Sequence, residues 1–585
     1  MPDRIRVGGR DELIAKGQVA TKIGSQPVCV FWSEGHAYAV DDRCPHMGFP
    51  LHRGTVENGL LTCHWHHARF DLESGGTLDP FADDVRAYPV ELDGNDVIVV
   101  VEPPGDRVAH YLRRLDEGLE QGLTLVTTKA VLGLFEELGP TEATARVVGA
   151  GVDFGTRYRA PGWGSGLTVL TAMANVLDAL DPEDRVLALV HGLAFVSRDT
   201  RGHPPHFALE PLGMAVSPDR LLSWYRRFVD TRGADAAERT LTSAVRSGLP
   251  PSDLAAIMGA AATDHVYLDG GHTIDFINKA FEVLGHLGWD HAGEVLPTLA
   301  HQTAGASRAE ESGAWRHPDD LVGLLARAEV ELPGRRAAAP ARRFEGGEDV
   351  DALAWVILGD DPAEIVTALD RAVDAGATAE ELARAVAYAA ALRVTRFHTQ
   401  NDHGDWDVVH HAFTSANAVH HLVGLSAVPD LWRGIYHGAL KVFLDRFLNV
   451  PAAPLPGRYA ELPSPLDLGA LQACWDQQDR VDDAGAIVYG WLRGGRSRGE
   501  VLAALGSALL HEDAEFHSFQ MYEAAVRQSA AWPEGSEQAA LILAGTARFL
   551  AAHTPTRREL PQVVRIATRL RRGEPLYEMA DDEAG

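Results

Sequence analysis

Residues 44–70 read CPHMGFPLHRGTVENGLLTCHWHHARF and contain two short groups of cysteine and histidine. The first group begins at Cys44 and reads C-P-H, the second begins at Cys63 and reads C-H-W-H, and residues 47–62 separate them. Two thiolates on one iron and two neutral imidazoles on the other are the ligands of one kind of [2Fe–2S] cluster. The spacer is long enough to run out as a strand, turn and return, which would place each group on its own loop. The stretch therefore predicts a cluster that is held from two sides.

These two groups resemble the ligand boxes of a Rieske [2Fe–2S] domain. The family's first box is Cys-x-His-x-Gly, and its second is Cys-x-x-His followed by an aromatic residue and an acid. The matching residues are Cys44, His46 and Gly48 in the first box, and Cys63, His66, Phe70 and Asp71 in the second. The resemblance implies that the cluster ligands are Cys44, His46, Cys63 and His66. A zinc site built from the same four side chains is the alternative, although zinc sites rarely combine both boxes with a strand-rich frame.

The second box departs from the family pattern at two positions. His64 and His67 stand where the family usually has proline and glycine, so that three imidazoles crowd one loop. The spacing of the box selects His66 as the ligand. His64 and His67 are then either surface groups or hydrogen-bond donors near the cluster, and both readings stay open.

The residues around the two boxes bear on the reduction potential of the cluster. High-potential members of the family have a disulfide between the loops and hydroxyl groups that donate to the cluster. Here Phe49 and His64 stand at the positions of the two extra cysteines, and Ala68 and Phe70 at those of the hydroxyl donors. Fewer donors stabilise the reduced state less. The resemblance therefore implies a low-potential Rieske centre of the ferredoxin or oxygenase type.

The composition excludes several classes of protein. The chain has 585 residues and a formal net charge of −29, which argues against a nucleic-acid partner. An acidic surface suits docking to a basic redox partner, or is only a solvated surface.

Of four cysteines, Cys29 and Cys474 remain besides the cluster ligands, so we expect no disulfide framework and a cytoplasmic location. The N-terminus lacks a signal-peptide pattern, and no apolar run is long enough to span a membrane.

The pattern of apolar residues divides the chain into two domains. Residues 1–104 contain short, β-branched segments separated by turn residues, which predicts an all-β Rieske sandwich. The sequence EPPG at 102–105 breaks this pattern. Beyond it, apolar residues recur at three- and four-residue spacing, so that residues 105–585 are predicted to form a large all-helical, His-rich domain. The fold class is therefore multidomain, with a β domain followed by an α domain.

The helical domain is predicted to consist of four copies of one module that close or curve around a cavity. In each copy a helix ends in glycine, a short turn follows, and a second helix opens near an acid. The modules span about residues 107–198, 199–304, 348–450 and 464–555. The segment 333–347, rich in Pro, Gly, Arg and Ala, is expected to be a mobile linker, and the acidic tail 579–585 to be disordered.

Histidines at equivalent places in these modules suggest a second metal site. His191, His301 and His437 fall at the same place in the last helix of modules one to three, and Gly545 takes that place in module four. If the modules close around an axis, the three imidazoles could converge on Fe, Cu or Zn. The alternative is that each histidine makes a hydrogen bond between helices of its own module.

A larger set of polar residues lies between the second and third helices of the modules. It contains Asp264, His265, His272, His398, His403, Asp405, His410, His411, His511, Glu512, Asp513, Glu515 and His517, and His286, His420 and His421 lie at a further equivalent place. Histidine with carboxylate is the ligand mix of non-haem iron, but acids near helix starts commonly act as caps. The sequence singles out no triad among them.

Two hypotheses of function follow. In the first, the chain is an oxidoreductase of the oxygenase kind, whose [2Fe–2S] cluster takes single electrons from a separate reductase and passes them to a His-lined metal or small-molecule site in the helical domain. Non-haem iron would be the second metal. The Asp-x-x-His-x4-His iron motif of Rieske hydroxylases is absent, so the chain differs from an ordinary hydroxylase subunit. In the second hypothesis it is a non-catalytic redox sensor or a ferredoxin-like module fused to a helical binding scaffold. The resemblance also implies a homo-oligomer.

Overall fold

The computed structural model describes residues 3–101, 105–158, 162–338, 343–426, 428–456, 467–574 and 576. The chain forms two compact units. The N-terminal unit comprises Met1–Ala150 and Gln562–Gly585, and the helical unit comprises Gly151–Pro561.

Three small antiparallel sheets build the β part of the N-terminal unit. Their strand orders are β1-β10-β9, β2-β3-β4-β8 and β5-β6-β7. The strands are β1 Asp3–Gly9, β2 Gln18–Ile23, β3 Gln26–Ser33, β4 His36–Asp41, β5 Thr55–Glu57, β6 Leu60–Thr62, β7 Arg69–Asp71, β8 Ala87–Tyr88, β9 Val90–Asp93 and β10 Asp96–Val101. Helix α1, Arg10–Lys16, connects β1 to β2. The predicted β domain followed by a helical region is confirmed.

Strand β3 separates two hydrophobic cores because its side chains alternate between the faces of the sheet. Val28 and Val30 pack into one core with Val97 and Val99. Cys29 and Phe31 pack into the other, which also contains Cys44 and Cys63. The two cysteines of the ligand boxes are therefore anchored in a packed core.

Helices extend the N-terminal unit beyond the predicted boundary at residue 104. Helix α2 is Arg107–Gln121, helix α3 is Thr124–Arg157, and helix α23 is Glu559–Arg571. The buried Arg114 guanidinium on α2 donates to the carbonyls of Pro80 and Ala82, at 3.2 and 2.8 Å. On α23, Arg571 donates to Tyr111 Oη at 2.9 Å. The predicted boundary thus marks the end of the strands rather than the end of the unit, and residues 102–104 lie outside the described residues.

The helical unit is built of the remaining helices. They are α4 Ser165–Val176, α5 Arg185–Thr200, α6 Pro218–Asp230, α7 Ala234–Arg246, α8 Pro251–Thr263, α9 His272–Leu287, α10 Ala292–Val295, α11 Ala300–Gly305, α12 Leu321–Ala338, α13 Gly347–Ile357, α14 Pro362–Asp374, α15 Ala379–Thr395, α16 His403–Leu425, α17 Trp432–Leu444, α18 Ala470–Trp475, α19 Val481–Arg493, α20 Arg498–Leu510, α21 Phe516–Ala530 and α22 Glu537–Ala552. None of the described helices is long and apolar enough to cross a membrane.

The four predicted helix–glycine–helix turns are present. Gly248, Gly376 and Gly495 end helices α7, α14 and α19 with φ of 70°, 84° and 76°, and Gly139 kinks α3 with φ of 76°. These angles lie in the left-handed region, where glycine meets no penalty. The helix boundaries agree with the repeat, while the equivalence of whole modules stays a prediction.

Four helices of the helical unit form a closed ring. Helix α4 packs against α9, α9 against α16, α16 against α21, and α21 against α4. They are the third helices of the predicted modules. The last helices α5, α17 and α22 each pack against the third helix of their own module. The inner faces of the ring therefore belong to the third helices.

The segment 333–347 differs from the predicted linker. Helix α12 continues through Pro333 to Ala338, because a helix with enough packed length tolerates a proline kink. Leu325 and Leu332 of this helix are buried. Residues 339–342 and the tail 579–585 lie outside the described residues, so those parts of the expectation stay untested.

Candidate metal centres

The two ligand boxes form two loops of the same backbone design. In the first, the Cys44 N–H donates to the Phe49 carbonyl at 2.8 Å and the Gly48 N–H donates to the Cys44 carbonyl at 2.8 Å. In the second, the Cys63 N–H donates to the Ala68 carbonyl at 2.9 Å and the His67 N–H donates to the Cys63 carbonyl at 3.0 Å. In each loop, both the N–H and the carbonyl of the cysteine are hydrogen-bonded to other residues of the loop. These bonds fix the direction of the side chains that follow the cysteine.

Both thiols lie in the core and are surrounded by donors. The backbone N–H groups of His46 and Met47 point to the Cys44 sulfur, and those of Trp65 and His66 point to the Cys63 sulfur. The two free thiol groups share a hydrogen bond, which lowers the pKa of Cys63 and, together with burial, raises the pKa of Cys44. Donors aimed at a sulfur favour the thiolate, which is the form that binds iron.

The two imidazoles face each other. The ring centroids of His46 and His66 are 4.8 Å apart, and Phe81 packs edge-on against His46 at 5.0 Å. Burial lowers the pKa of His46 to about 4, with nearby Lys129 as a further cause, so this imidazole is neutral at pH 7. Its Nδ1 is buried and has no hydrogen-bond partner among the described residues. A neutral ring with a free, buried nitrogen fits a cluster ligand.

The spacing of the four side chains does not fit a single zinc ion. Ligand atoms around one zinc lie about 3.3–3.8 Å from one another, given bonds of about 2.0–2.3 Å. Among the described residues, no three of Cys44, His46, Cys63 and His66 bring ligand atoms within 4.8 Å of one another. A two-iron cluster needs the wider arrangement, because the cysteines and histidines bind different irons.

The two extra histidines of the second loop are surface groups. His64 Nε2 lies 2.5 Å from Thr55 Oγ1, and the side chain is exposed. His67 is exposed and has φ of 61°, the left-handed conformation that Gly48 adopts in the first loop with φ of 81°. This explains why glycine is usual at that position in the family, and it leaves His66 as the histidine beside His46.

Lys129 on α3 holds the first loop and was missed at the sequence level. Its Nζ donates to the carbonyls of Pro45 and His46, both at 2.5 Å. Burial lowers the pKa of Lys129 to about 8, although Asp83 and Cys44 oppose this shift. The lysine lies 83 residues from His46 in sequence, and no local pattern marks it.

The structure does not bring His191, His301 and His437 together. His191 Nε2 lies 2.9 Å from the Leu510 carbonyl, His301 Nε2 lies 2.9 Å from Glu238, and His437 Nε2 lies 3.5 Å from Glu329. Among the described residues, these three do not form a group with ligand atoms within 4.8 Å. The reason is that they sit on the last helices, whereas the third helices line the ring.

A different set of three histidines does converge. Ligand atoms of His272, His411 and His517 all lie within 4.8 Å of one another. They come from α9, α16 and α21, which are three of the four ring helices. The Nε2 atoms of His411 and His517 are 3.1 Å apart, and the rings of His272 and His411 are 4.5 Å apart. We name these three residues the histidine cluster.

The surroundings keep two imidazoles of the histidine cluster neutral. Burial, together with repulsion from neighbouring histidines, lowers the pKa of His272 to about 4 and that of His411 to about 2. On the other side, His517 Nδ1 lies 3.2 Å from Asp407 Oδ1, and His553 Nε2 lies 3.4 Å from the same oxygen. Burial opposes ionisation of Asp407, but the attraction of the two nearby histidines holds its pKa well below the usual range.

Further along α9 and α21 from the histidine cluster, ionisable side chains are buried between the helices. The Lys279 ammonium is fully buried and lies 2.8 Å from Glu282 and 2.6 Å from Glu523. Asp275 bonds to Gln520, and burial raises the pKa of Asp275 to about 8. Side chains therefore occupy the inner faces of these ring helices.

A second group of ligand-type residues, Asp83, Asp84 and His110, lies in the N-terminal unit. Arg114 and His110 both pair with the Asp83 carboxylate, at 3.2 Å each. Since a guanidinium already neutralises this carboxylate, ion pairing accounts for the group.

Comparisons with known proteins concern the N-terminal unit. Residues 3–89 match the family model described as "Rieske [2Fe-2S] domain". The ferredoxin component of the naphthalene 1,2-dioxygenase/salicylate 5-hydroxylase systems of Ralstonia sp is 28% identical over 93 residues, which is 16% of this chain and 89% of that protein. The 3-phenylpropionate/cinnamic acid dioxygenase ferredoxin subunit of Photorhabdus laumondii is 38% identical over 87 residues, covering 14% of this chain and 83% of that protein. Among solved structures, the ferredoxin of carbazole 1,9a-dioxygenase from Nocardioides aromaticivorans matches 17% of this chain and 98% of its own with 27% identity and a TM-score of 0.16.

Residues 3–89 thus form an electron-transfer module of the Rieske class. The chain belongs to the Rieske [2Fe–2S] domain family through residues 3–89, and this domain implies a [2Fe–2S] cluster.

Proposed function

We propose that the chain is a Rieske-dependent oxidoreductase that takes single electrons from a separate reductase and uses them in its helical unit. The observation that carries the proposal is the pair of matched loops, which present two buried thiols on one side and two facing imidazoles on the other. A reductase is inferred because no nucleotide-binding motif is recognisable in the sequence. The four cysteines are free and buried, which suits a reducing compartment such as the cytoplasm.

Cys44, His46, Cys63 and His66 are proposed to hold the cluster. When bound, a [2Fe–2S] cluster supplies reversible one-electron chemistry. The two thiolates would bind one iron, and the imidazoles of His46 and His66 the other. His66 is exposed, whereas His46 is half-buried beneath Phe81. We therefore infer that electrons leave through His66 rather than through both histidines equally.

The helical unit is proposed to contain the site where the electrons are used. Its imidazoles converge at the histidine cluster, which lies beside apolar rings of Phe276 and Phe516. Neutral imidazoles and an apolar border are features of sites that bind a transition metal together with a small molecule. An oxygenase reaction on an organic substrate fits such a site, and proximity within one chain would replace a diffusional encounter.

Substitution of His66 tests the assignment of the cluster ligands. His66→Ala should abolish the anisotropic EPR signal of the reduced Rieske centre, because the second imidazole of the iron is lost. His64→Ala and His67→Ala are matched controls in the same loop and should keep the signal. An unchanged signal in His66→Ala, or its loss in His64→Ala, would contradict the assignment.

A further inference from the structure

We propose that His272, His411 and His517 bind one divalent transition-metal ion in the helical unit, with Asp407 as the residue that positions His517. The inference deepens the proposed function by naming the site that would receive the electrons. It rests on the proposed function only for the use of the ion, because the ligand set is defined by contacts inside the helical unit.

The distance between the imidazole nitrogens fits ligands of one ion. Two nitrogens bound to the same metal at about 2.1 Å lie about 3.0–3.4 Å apart, for coordination angles between octahedral and tetrahedral. His411 Nε2 and His517 Nε2 are 3.1 Å apart. A ligand atom of His272 lies within 4.8 Å of both, so a small side-chain adjustment brings a third imidazole to the same ion.

Asp407 fixes which nitrogen of His517 faces the site. Asp407 Oδ1 lies 3.2 Å from Nδ1, so a proton on Nδ1 would face this carboxylate, and a small turn of the ring would let Nδ1 donate to it. Nε2 then keeps its lone pair and points to His411. A carboxylate that accepts from the second nitrogen of a ligand histidine is the usual partner arrangement in metal sites, since it sets the tautomer and makes the ligand more basic.

His410, which lies beside the histidine cluster, supports a bound ion independently of the ligand distances. Its side chain is fully buried, and neither ring nitrogen has a hydrogen-bond partner among the described residues. Its ring centroid lies 5.1 Å from that of His517 and 5.6 Å from that of His411. An unpaired buried imidazole is costly, and a bound ion with its water ligands would provide the missing partner.

The ligand type selects the class of metal. Three imidazole ligands favour Fe(II), Co(II), Cu(II) or Zn(II), whereas Mg²⁺ and Ca²⁺ prefer oxygen ligands. Three protein ligands also leave coordination positions open for water, dioxygen or a substrate atom. The competing explanation is a direct N–H···N hydrogen bond between His411 and His517, which would need no ion.

Titration with Co(II) distinguishes the two explanations, because the visible absorption of bound Co(II) reports its nitrogen ligands. The full chain, freed of loosely held metal with EDTA, should bind one Co(II) per chain with saturable visible bands, and Zn(II) should displace it. His411→Ala and His517→Ala should each weaken binding at least tenfold. Asp407→Asn should weaken binding by about 10–100-fold while leaving three imidazoles in place.

Two controls match the variants. His301→Ala removes an imidazole of the same unit that pairs with Glu238, and His110→Ala removes the histidine of the acidic group in the N-terminal unit. Both should bind Co(II) as the wild type does. Circular dichroism identifies any variant that fails to fold, in which case Asp407→Asn and the other single variants decide the outcome.

Absence of saturable Co(II) binding in the wild type would overturn the proposal. So would unchanged binding in the folded His272→Ala/His411→Ala/His517→Ala variant, or loss of binding in His110→Ala alone. The test is separate from the Rieske assignment: His66→Ala should still bind Co(II). If that variant lost its EPR signal and kept Co(II), both assignments would stand, and if the signal persisted only the Rieske assignment would fail.

Discussion

At the scale of single residues, Lys129 brings a positive charge to the loop that holds His46. Its Nζ lies 2.5 Å from the carbonyls of Pro45 and His46. With a pKa of about 8, the ammonium is charged at pH 7. A cation stabilises the reduced form of a nearby cluster, which carries one more negative charge than the oxidised form.

Lys129→Met should therefore lower the midpoint potential of the cluster. The expected shift is on the order of tens of millivolts, from a single charge in a partly screened environment. An EPR-monitored redox titration measures it. Lys16→Met is the control, since Lys16 pairs with Glu12 on the surface and should leave the potential unchanged. Equal potentials in wild type and Lys129→Met would show that this charge does not act on the cluster.

The buried carboxyl of Asp275 is expected to make the stability of the folded chain depend on pH. Burial raises its pKa to about 8 in the folded chain, against about 3.9 in an unfolded one. Between these values the folded state binds more protons than the unfolded state, so stability falls as pH rises from about 4 to 8. Asp275→Asn, which keeps the oxygen that accepts from Gln520, should flatten this dependence.

Thermal unfolding at several pH values between 5 and 8 checks this expectation. The control is Asp178→Asn, because the Asp178 side chain is fully exposed. Asp178→Asn should show the same change of melting temperature with pH as the wild type. If Asp275→Asn leaves the change of melting temperature with pH unaltered, the Asp275 carboxyl is already ionised in the folded chain.

At the scale of elements, glycines with positive φ mark each predicted turn: three of them end a helix, and Gly139 kinks α3. Gly248→Ala should lower the free energy of unfolding by about 1–2 kcal/mol, because an added Cβ at φ of 70° is strained even though nothing lies within 4 Å of it. Gly213 also has open space around its Cβ direction but lacks the positive φ. Gly213→Ala should thus be neutral or slightly stabilising. Denaturant unfolding gives both values, and equal effects at the two positions would refute the strain argument.

These turns were predictable from the sequence because glycine is the residue that the local backbone requires. The histidine cluster was not predictable in the same way. His272 is the first residue of α9 and His517 the second of α21, but His411 lies more than two turns inside α16. The irregular stretches before these helices differ in length, so counting from the glycine turns does not align the three histidines. His191, His301 and His437 aligned well in the sequence, yet they lie on helices outside the ring.

At the scale of the whole molecule, the sequence identified the Rieske domain at the N-terminus but not the extent of the compact unit around it. The boxes are local, whereas Arg114, Lys129 and Arg571 reach their partners over long separations in sequence. Long-range contacts of this kind leave no periodic signal. The division into an electron-transfer unit and a histidine-rich helical unit leads to the central claim, that electrons from the first are used in the second.

Reoxidation of the reduced full chain by dioxygen tests this claim most directly. Stopped-flow absorbance follows the rate after iron loading, for the wild type, for His301→Ala, and for the His272→Ala/His411→Ala/His517→Ala variant with its EPR signal intact. We predict a rate independent of protein concentration in the wild type and in His301→Ala, and a rate at least tenfold slower in the triple variant. Equal rates in the wild type and the triple variant would contradict the account.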